Sequence, residues 1–112
     1  MAIKSVGVVG AGTMGNGIAQ VCAAAGLAVT MVDISAAAVQ RGLETVAASL
    51  DRLVKKEKLA ASDKDAIMAR ILGTTDYAEL SGVDLAIEAA TENEGLKLKI
   101  LGLHETQYAL VG

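Results

Sequence analysis

The hydrophobic positions of the chain fall into two kinds of pattern. Short, nearly continuous apolar runs occur at residues 3–9, 27–32, 71–75 and 84–88. Runs of this length, rich in Val and Ile, are typical of strands that are buried on both faces of a parallel sheet. Longer stretches between the first three runs have small or apolar side chains at helical spacing, at residues 15–25 and 35–57. The pattern therefore predicts strands that alternate with helices.

Capping residues mark where these helices begin and end. Gly26 lies where a C-terminal helix cap is expected, and Ser35 can cap the long second helix. Ser62 has an acid three residues later, which resembles a capping box and predicts a shorter helix over residues 62–70. Residues 95–108, with Leu96 and Ile100 among their apolar positions, are interpreted as a last helix.

The order of these elements predicts an α/β fold. Right-handed crossovers place the second strand beside the first and the third outside it, with the fourth on the other side. We therefore expect a Rossmann-type parallel sheet of order 3-2-1-4, incomplete, with helices on both faces. One domain spans residues 1–112. Its ligand site is expected at the carboxyl ends of the strands, where the order reverses between strands one and four.

A glycine cluster follows the first strand directly. Residues 10–15, Gly-Ala-Gly-Thr-Met-Gly, match the pattern G-x-G-x-x-G of dinucleotide sites. Gly10 is expected to turn the chain out of the strand, Gly12 to let a pyrophosphate approach the backbone, and Gly15 to let the helix pack closely. The helix N-terminus then offers N–H groups to the phosphates. A strand-to-helix turn without a ligand is the alternative.

An acid at the end of the second strand favours the dinucleotide interpretation. Asp33 lies 18 residues after Gly15, where a carboxylate accepts hydrogen bonds from the adenosine ribose hydroxyls of NAD. The alternative is a cap or turn acid ahead of Ser35. NAD is preferred over NADP because this acid is present and no Arg follows it. A phosphate-binding loop of the NTPase type is excluded since no G-K-[ST] follows the glycine run. Binding of a flavin or of S-adenosylmethionine stays an alternative.

Composition narrows the class of ligand and partner. The 112 residues are 53% apolar and 21% charged, with a net charge of −3, no Trp, no Phe and two Tyr. This balance argues against binding to nucleic acid or to an anionic membrane surface. The single cysteine, Cys22, fits a reducing compartment, and no leader or membrane span is visible. We expect a cytoplasmic protein without a metal site.

Three segments together resemble the amino-terminal part of the 3-hydroxyacyl-CoA dehydrogenase family, in particular its bacterial 3-hydroxybutyryl-CoA dehydrogenases. They are VGVVGAGTMGNGIAQVCAAAGLAVTMVDIS, LDRLVKKEKL and LAIEAATEN followed by LKLKIL. The resemblance implies hydride transfer between C3 of an acyl-CoA and NAD, in an oxidoreductase of fatty acid metabolism. It implies cofactor contacts at these positions: Gly10, Gly12, Thr13, Met14, Gly15, Asp33, Glu92 and Lys97.

The chain departs from the family where catalysis is concerned. The family uses a histidine and a glutamate with a supporting serine and asparagine, in segments that have no counterpart here. His104 does not lie in the family's histidine segment and is interpreted as a surface residue. We therefore assign no catalytic residue and expect the chain to bind NAD without catalysing the reaction alone. In the family a helical substrate and dimerisation domain follows this part.

Two alternatives stay open. One is a half-domain of a 3-hydroxyacid or 6-phosphogluconate-type dehydrogenase, which shares the glycine pattern but is not expected to carry Glu-Ala-Ala-Thr-Glu-Asn. The other is an isolated or engineered nucleotide-binding module without enzyme activity. Such a module could form a homo-oligomer through the exposed edge of its fourth strand, because an unpaired strand edge can pair with another chain.

Overall fold

A computed structural model of the chain describes residues 3–89 and, as backbone only, two further strands. The strands are β1 (Ser5–Val9), β2 (Ala28–Val32), β3 (Ile71–Thr74), β4 (Leu85–Glu88), β5 (Leu96–Ile100) and β6 (Gln107–Val111). The helices are α1 (Thr13–Ala24), α2 (Ala36–Lys55), α3 (Ala61–Ala69) and a 3₁₀ helix (Tyr77–Gly82). The strands form one sheet of order β3-β2-β1-β4-β5-β6.

The first four strands are parallel and have the predicted order. In the central register, Val8 lies opposite Met31 of β2 on one side and Ile87 of β4 on the other. Val8 and Met31 are completely buried, in a core that α1, α2 and α3 cover from one face. The 3₁₀ helix packs on the other face, where Leu80 lies directly against Gly7. The Rossmann-type α/β fold is confirmed.

The helix ends at Gly26 and Ser35 are as predicted. Gly26 follows α1 with φ +96°, a conformation that favours glycine, and its N–H donates to the carbonyl oxygen of Ala23 at 3.0 Å. The Ser35 Oγ accepts a hydrogen bond from the N–H of Ala38 at 3.1 Å and so caps α2. Within the described ranges, none of the helices combines the length and the apolar character needed to cross a membrane.

The capping box predicted at Ser62 is wrong. The N-cap of α3 is Ala60, whose carbonyl oxygen accepts hydrogen bonds from the N–H groups of Asp63 and Lys64 at 3.0 and 3.1 Å. Ser62 therefore lies inside the first turn of the helix. In the same turn, the Nζ of Lys64 lies 2.5 Å from the carboxylate of Asp51 in α2.

The last predicted helix, over residues 95–108, is also wrong. The described segments β5 and β6 are strands, and both pairings, β4 with β5 and β5 with β6, are antiparallel. The sequence of β5, Leu-Lys-Leu-Lys-Ile, alternates apolar and charged side chains, which is the period of a strand.

This correction removes the free strand edge on which self-association was based. The outer edge of β4 is already paired, from Leu85 opposite Ile100 to Glu88 opposite Lys97. A homo-oligomer through the edge of the fourth strand is therefore not available in this fold. The sheet is correspondingly wider than the four parallel strands that were predicted.

Candidate dinucleotide-binding site

The turn between β1 and α1 is a tight one built on glycine. Gly10 has φ +106°, in the left-handed region that side chains disfavour. Its N–H donates to the carbonyl oxygen of Val32 at 2.7 Å, which fixes the turn against the end of β2. The sharp turn predicted at Gly10 is present, and the contact of this residue with a cofactor stays a prediction.

Gly15 brings α1 close to that turn. A Cβ on Gly15 would overlap the carbonyl oxygen of Gly10 and would lie 3.5 Å from Cγ1 of Val8. Ala19, one helical turn farther on, is completely buried. Because these two positions carry little or no side chain, the helix can begin directly above the end of β1.

The first turn of α1 presents backbone N–H groups to solvent. Gly12 is the N-cap residue and has no side chain that could bond to these groups. Gly12 and Thr13 are exposed, and a Cβ on Gly12 would meet no atom within 4 Å. The first turn of this helix also carries no acidic side chain. The N–H donors and the positive end of the helix dipole are therefore open to an anion.

Asp33 connects the end of β2 to both neighbouring elements. Its Oδ2 accepts a hydrogen bond from the N–H of Ala11 in the glycine turn, at 3.0 Å. Its Oδ1 accepts one from the N–H of Ser35, also at 3.0 Å. Asp33 is thus a turn acid ahead of Ser35, which is the alternative given above, and it also contacts the glycine turn. Its contact with a ribose stays a prediction.

These hydrogen bonds hold the Asp33 carboxyl in its ionised form. The backbone N–H of Ser35, and then that of Ala11, lower the pKa of Asp33 below its ordinary value. Partial burial opposes this shift, and the positive charge of Arg41 adds slightly to it. Because each carboxylate oxygen accepts only one of these bonds, each keeps a lone pair for a further donor such as a ribose hydroxyl.

The carboxyl ends of β1 and β4 complete the site at the point where the strand order reverses. The N–H of Ala89, just after β4, donates to the carbonyl oxygen of Val9 at 2.8 Å, so the two strand ends are held side by side. Met14 is half-buried and packs against the core from α1. Glu92 and the side chain of Lys97 lie outside the described residues.

Gly42 is a site residue that the sequence reasoning missed. A Cβ on Gly42 would lie 2.8 Å from the carbonyl oxygen of Ala11 and 3.0 Å from Cε of Met31. Helix α2 therefore passes close to the glycine turn only because residue 42 has no side chain. The available signal was a glycine in the middle of a long predicted helix, where its low helix propensity calls for a packing reason.

A pocket of about 210 Å³ lies between the start of α1 and the first turns of α2. It is lined by residues of both helices: Ala11, Gly12, Thr13, Asn16, Ala38, Arg41, Gly42 and Thr45. Arg41 is its charged residue; it lies on α2, beyond the positions directly after Asp33, and was not predicted. One of its lining residues, Ala11, donates the hydrogen bond to Asp33.

The described part of the site can bind but offers little for proton transfer. Exposed N–H groups suit phosphate oxygens, and Asp33 suits a diol. The single histidine of the sequence, His104, lies outside the described residues. In residues 3–89 no three side chains of His, Cys, Asp or Glu come together as a metal site.

Comparison with known proteins agrees with this arrangement. The family model described as "3-hydroxyacyl-CoA dehydrogenase, NAD binding domain" matches residues 5–109, nearly the whole chain. The chain belongs to the 3-hydroxyacyl-CoA dehydrogenase family. The matched region is the NAD-binding domain of that family, so the cofactor is NAD.

Two similar relatives carry the same name. A 3-hydroxybutyryl-CoA dehydrogenase of Bradyrhizobium diazoefficiens is 43% identical over 98 residues, which cover 88% of this chain and 33% of the relative. One of Mycobacterium tuberculosis is 41% identical over 99 residues, 88% of this chain and 35% of the relative. The chain therefore spans about a third of the length of the curated relatives it matches.

Two solved structures are also similar to the chain. The crystal structure of (S)-3-hydroxybutyryl-CoA dehydrogenase PaaH1 from Ralstonia eutropha matches with a TM-score of 0.79 and 65% identity, over 82% of this chain and 32% of that one. A second, M. tuberculosis FadB2, matches with a TM-score of 0.80 and 41% identity, over 84% of this chain and 33% of that one.

The geometry of the described residues fits the cofactor of the 3-hydroxyacyl-CoA dehydrogenase family. The space above the glycine turn stays open because Gly12 has no side chain. Helix α1 lies close to this turn because Gly15 has none. The donors are backbone N–H groups, which suit a pyrophosphate, and the acceptor is the ionised Asp33.

Proposed function

We propose that this chain is the NAD half-site of an enzyme that interconverts a 3-hydroxyacyl-CoA, specifically 3-hydroxybutyryl-CoA, and its 3-oxo form by hydride transfer to or from the nicotinamide. The hydrogen bond between Asp33 and the N–H of Ala11 is the observation that carries the proposal. It joins the expected ribose-binding acid to the expected pyrophosphate turn.

Each residue of the half-site has a proposed task. The backbones of Gly12, Thr13 and Met14 donate to the pyrophosphate, while Gly10 and Gly15 keep room for it. Asp33 accepts hydrogen bonds from the adenosine ribose hydroxyls through its remaining lone pairs. Glu92 and Lys97 stay predictions from the family resemblance, as contacts near the bound cofactor.

The charge of Asp33 selects between the two nicotinamide dinucleotides in this proposal. Its lowered pKa keeps the carboxylate ionised at neutral pH, where a 2′-phosphate would meet like charge. We expect Asp33→Ala to weaken NADH binding and to narrow the difference between NADH and NADPH. Fluorescence titrations of both cofactors test this, and unchanged binding of both would remove Asp33 from the site.

Hydride transfer in the proposed enzyme needs groups that the described residues do not supply. Acid–base catalysis at the C3 oxygen requires a titratable group within hydrogen-bonding reach of it. The chain by itself is therefore proposed to bind NADH without turning over acetoacetyl-CoA. Appreciable turnover by these 112 residues alone would overturn this part of the proposal. Fatty acid metabolism and a cytoplasmic location stay predictions.

A further inference from the structure

One cation, Arg41, lines the pocket between α1 and α2, and its positive charge helps to lower the pKa of Asp33. Arg41 is exposed on α2 and makes no ion pair with any carboxylate of residues 3–89. The guanidinium of Arg70, by contrast, donates to the carbonyl oxygen of Ala23 in the last turn of α1. Among residues 3–89, the guanidinium of Arg41 makes no such hydrogen bond.

The other residues of the pocket are suited to an anion. Thr13 and Asn16 supply a hydroxyl and an amide from α1, and no acidic residue lines the pocket. The hydroxyl of Thr45 is already committed, because it donates to the carbonyl oxygen of Arg41 at 2.8 Å. Arg41 can thus offer its guanidinium donors, in a geometry that matches phosphate oxygens, beside two further polar side chains.

The pocket is continuous with the proposed cofactor site. It shares Ala11, Gly12 and Thr13 with the glycine turn, and the N–H of Ala11 donates a hydrogen bond to Asp33. We propose that the pocket binds a phosphate group of the dinucleotide and that Arg41 supplies the positive charge for it. This inference rests on the proposed function, since it assigns a further residue to the same site.

Two phosphate groups of a nicotinamide dinucleotide could fill this role, and they can be distinguished. The pyrophosphate is common to NADH and NADPH, whereas the 2′-phosphate is present in NADPH alone. If Arg41 binds the pyrophosphate, Arg41→Gln weakens both cofactors equally. If Arg41 binds the 2′-phosphate, the substitution weakens NADPH alone, most visibly where Asp33→Ala has removed the repelling charge.

The experiment is a fluorescence titration of NADH and NADPH into four chains: the natural sequence, Arg41→Gln, Asp33→Ala and the double variant. Arg52→Gln is the matched control, since Arg52 is also exposed on α2 but does not line the pocket. We expect Arg41→Gln to weaken at least one cofactor about tenfold, and Arg52→Gln to change neither by more than about twofold. The effect of Arg41→Gln should shrink at high salt.

Two results would count against the inference in different ways. If the natural chain binds NADH but Arg41→Gln changes neither cofactor in either background, or matches Arg52→Gln, the pocket does not bind phosphate. If the natural chain does not bind NADH at all, the proposed function itself is wrong. Thermal unfolding of each variant, followed by circular dichroism, confirms that all the chains compared are folded.

Discussion

Two aspartates at opposite ends of the sheet use the same chemistry for different purposes. Asp33 follows β2 at the carboxyl ends of the strands, and Asp84 precedes β4 at their amino ends. Each accepts hydrogen bonds from two backbone N–H groups. In both cases these bonds lower the pKa of the carboxyl.

Their surroundings differ in what lies beside the carboxylate. The Oδ2 of Asp84 accepts from the N–H groups of Lys4 and Ser5 and from the Ser5 hydroxyl, and the Ser5 Oγ in turn accepts from the N–H of Asp84. These bonds join the start of β1 to the start of β4. Each oxygen of Asp33 instead accepts one hydrogen bond, and the carboxylate lies beside the exposed N-terminus of α1. A carboxylate at a strand end is thus structural or available for binding according to its neighbours.

The largest effect is expected at the glycine turn that accompanies Asp33. Gly15→Ala places a Cβ on the carbonyl oxygen of Gly10, so α1 must shift away from the turn. We expect the free energy of unfolding to fall by about 1–3 kcal/mol, a typical cost of overpacking, and NADH binding to weaken with it. Urea unfolding followed by circular dichroism and a cofactor titration measure the two effects.

Gly17→Ala is the control for this prediction, because a Cβ on Gly17 would meet no atom within 4 Å. In the same helix, alanine should raise the free energy of unfolding by about 0.5–1 kcal/mol through its better helix propensity. Equal stability losses in both variants would show that the contact between Gly15 and Gly10 does not determine the position of α1.

The next effect compares the two aspartates directly. Asp33→Asn should weaken NADH binding about tenfold, because a charge-assisted acceptor for the ribose becomes neutral. Asp84→Asn should lower the unfolding temperature and leave NADH binding unchanged. Thermal unfolding and cofactor titration of both variants measure the two effects separately. Weaker NADH binding in Asp84→Asn, with no effect of Asp33→Asn, would reverse the roles assigned to the two ends.

A smaller effect is expected at Gly42, which lies behind the turn rather than in it. Gly42→Ala puts a Cβ 2.8 Å from the carbonyl oxygen of Ala11, and α2 must move slightly to accept it. The gain in helix propensity offsets part of the stability cost. We therefore expect NADH affinity to fall by roughly 2- to 5-fold with little change in the free energy of unfolding. An affinity equal to that of the natural chain would show that this close packing is irrelevant to binding.

The smallest effect is a pH dependence that both aspartates share. Their pKa values are lower in the folded chain, so their contribution to stability is complete above the unfolded value of about 3.9 and is lost as the pH falls through the folded value. The urea midpoint should therefore decrease below about pH 4. Asp33→Asn and Asp84→Asn should each flatten this decrease, and an equally steep decrease in both would contradict the assignment.

The elements around Asp33 were predicted correctly from the sequence, whereas the strands beyond β4 were not. Buried apolar runs, the glycine turn and the caps at Gly26 and Ser35 act locally, so their pattern is sufficient to place β1, α1, β2 and the start of α2. Residues 96–100 fit two patterns, since Leu96 and Ile100 share a helix face while Leu, Lys, Leu, Lys and Ile alternate as in a strand. Pairing with β4 decided between them, and such a contact is not local.

Non-local contacts also explain what was missed at the site. The hydrogen bond from Ala11 to Asp33 spans 22 positions, and the contact of Gly42 with Ala11 depends on how α2 crosses the turn. A motif shows which residue types are present, whereas these contacts depend on the packing of whole elements. Arg41 belongs to the pocket for the same reason.

A calorimetric titration of the 112-residue chain with NADH tests the central claim most directly. We expect saturable binding of one NADH per chain, weaker in Asp33→Asn and unchanged in Asp84→Asn. A folded chain that releases no heat of binding with NADH, or that binds it equally well after Asp33→Asn, would contradict the assignment of the carboxyl end of the sheet as the NAD half-site.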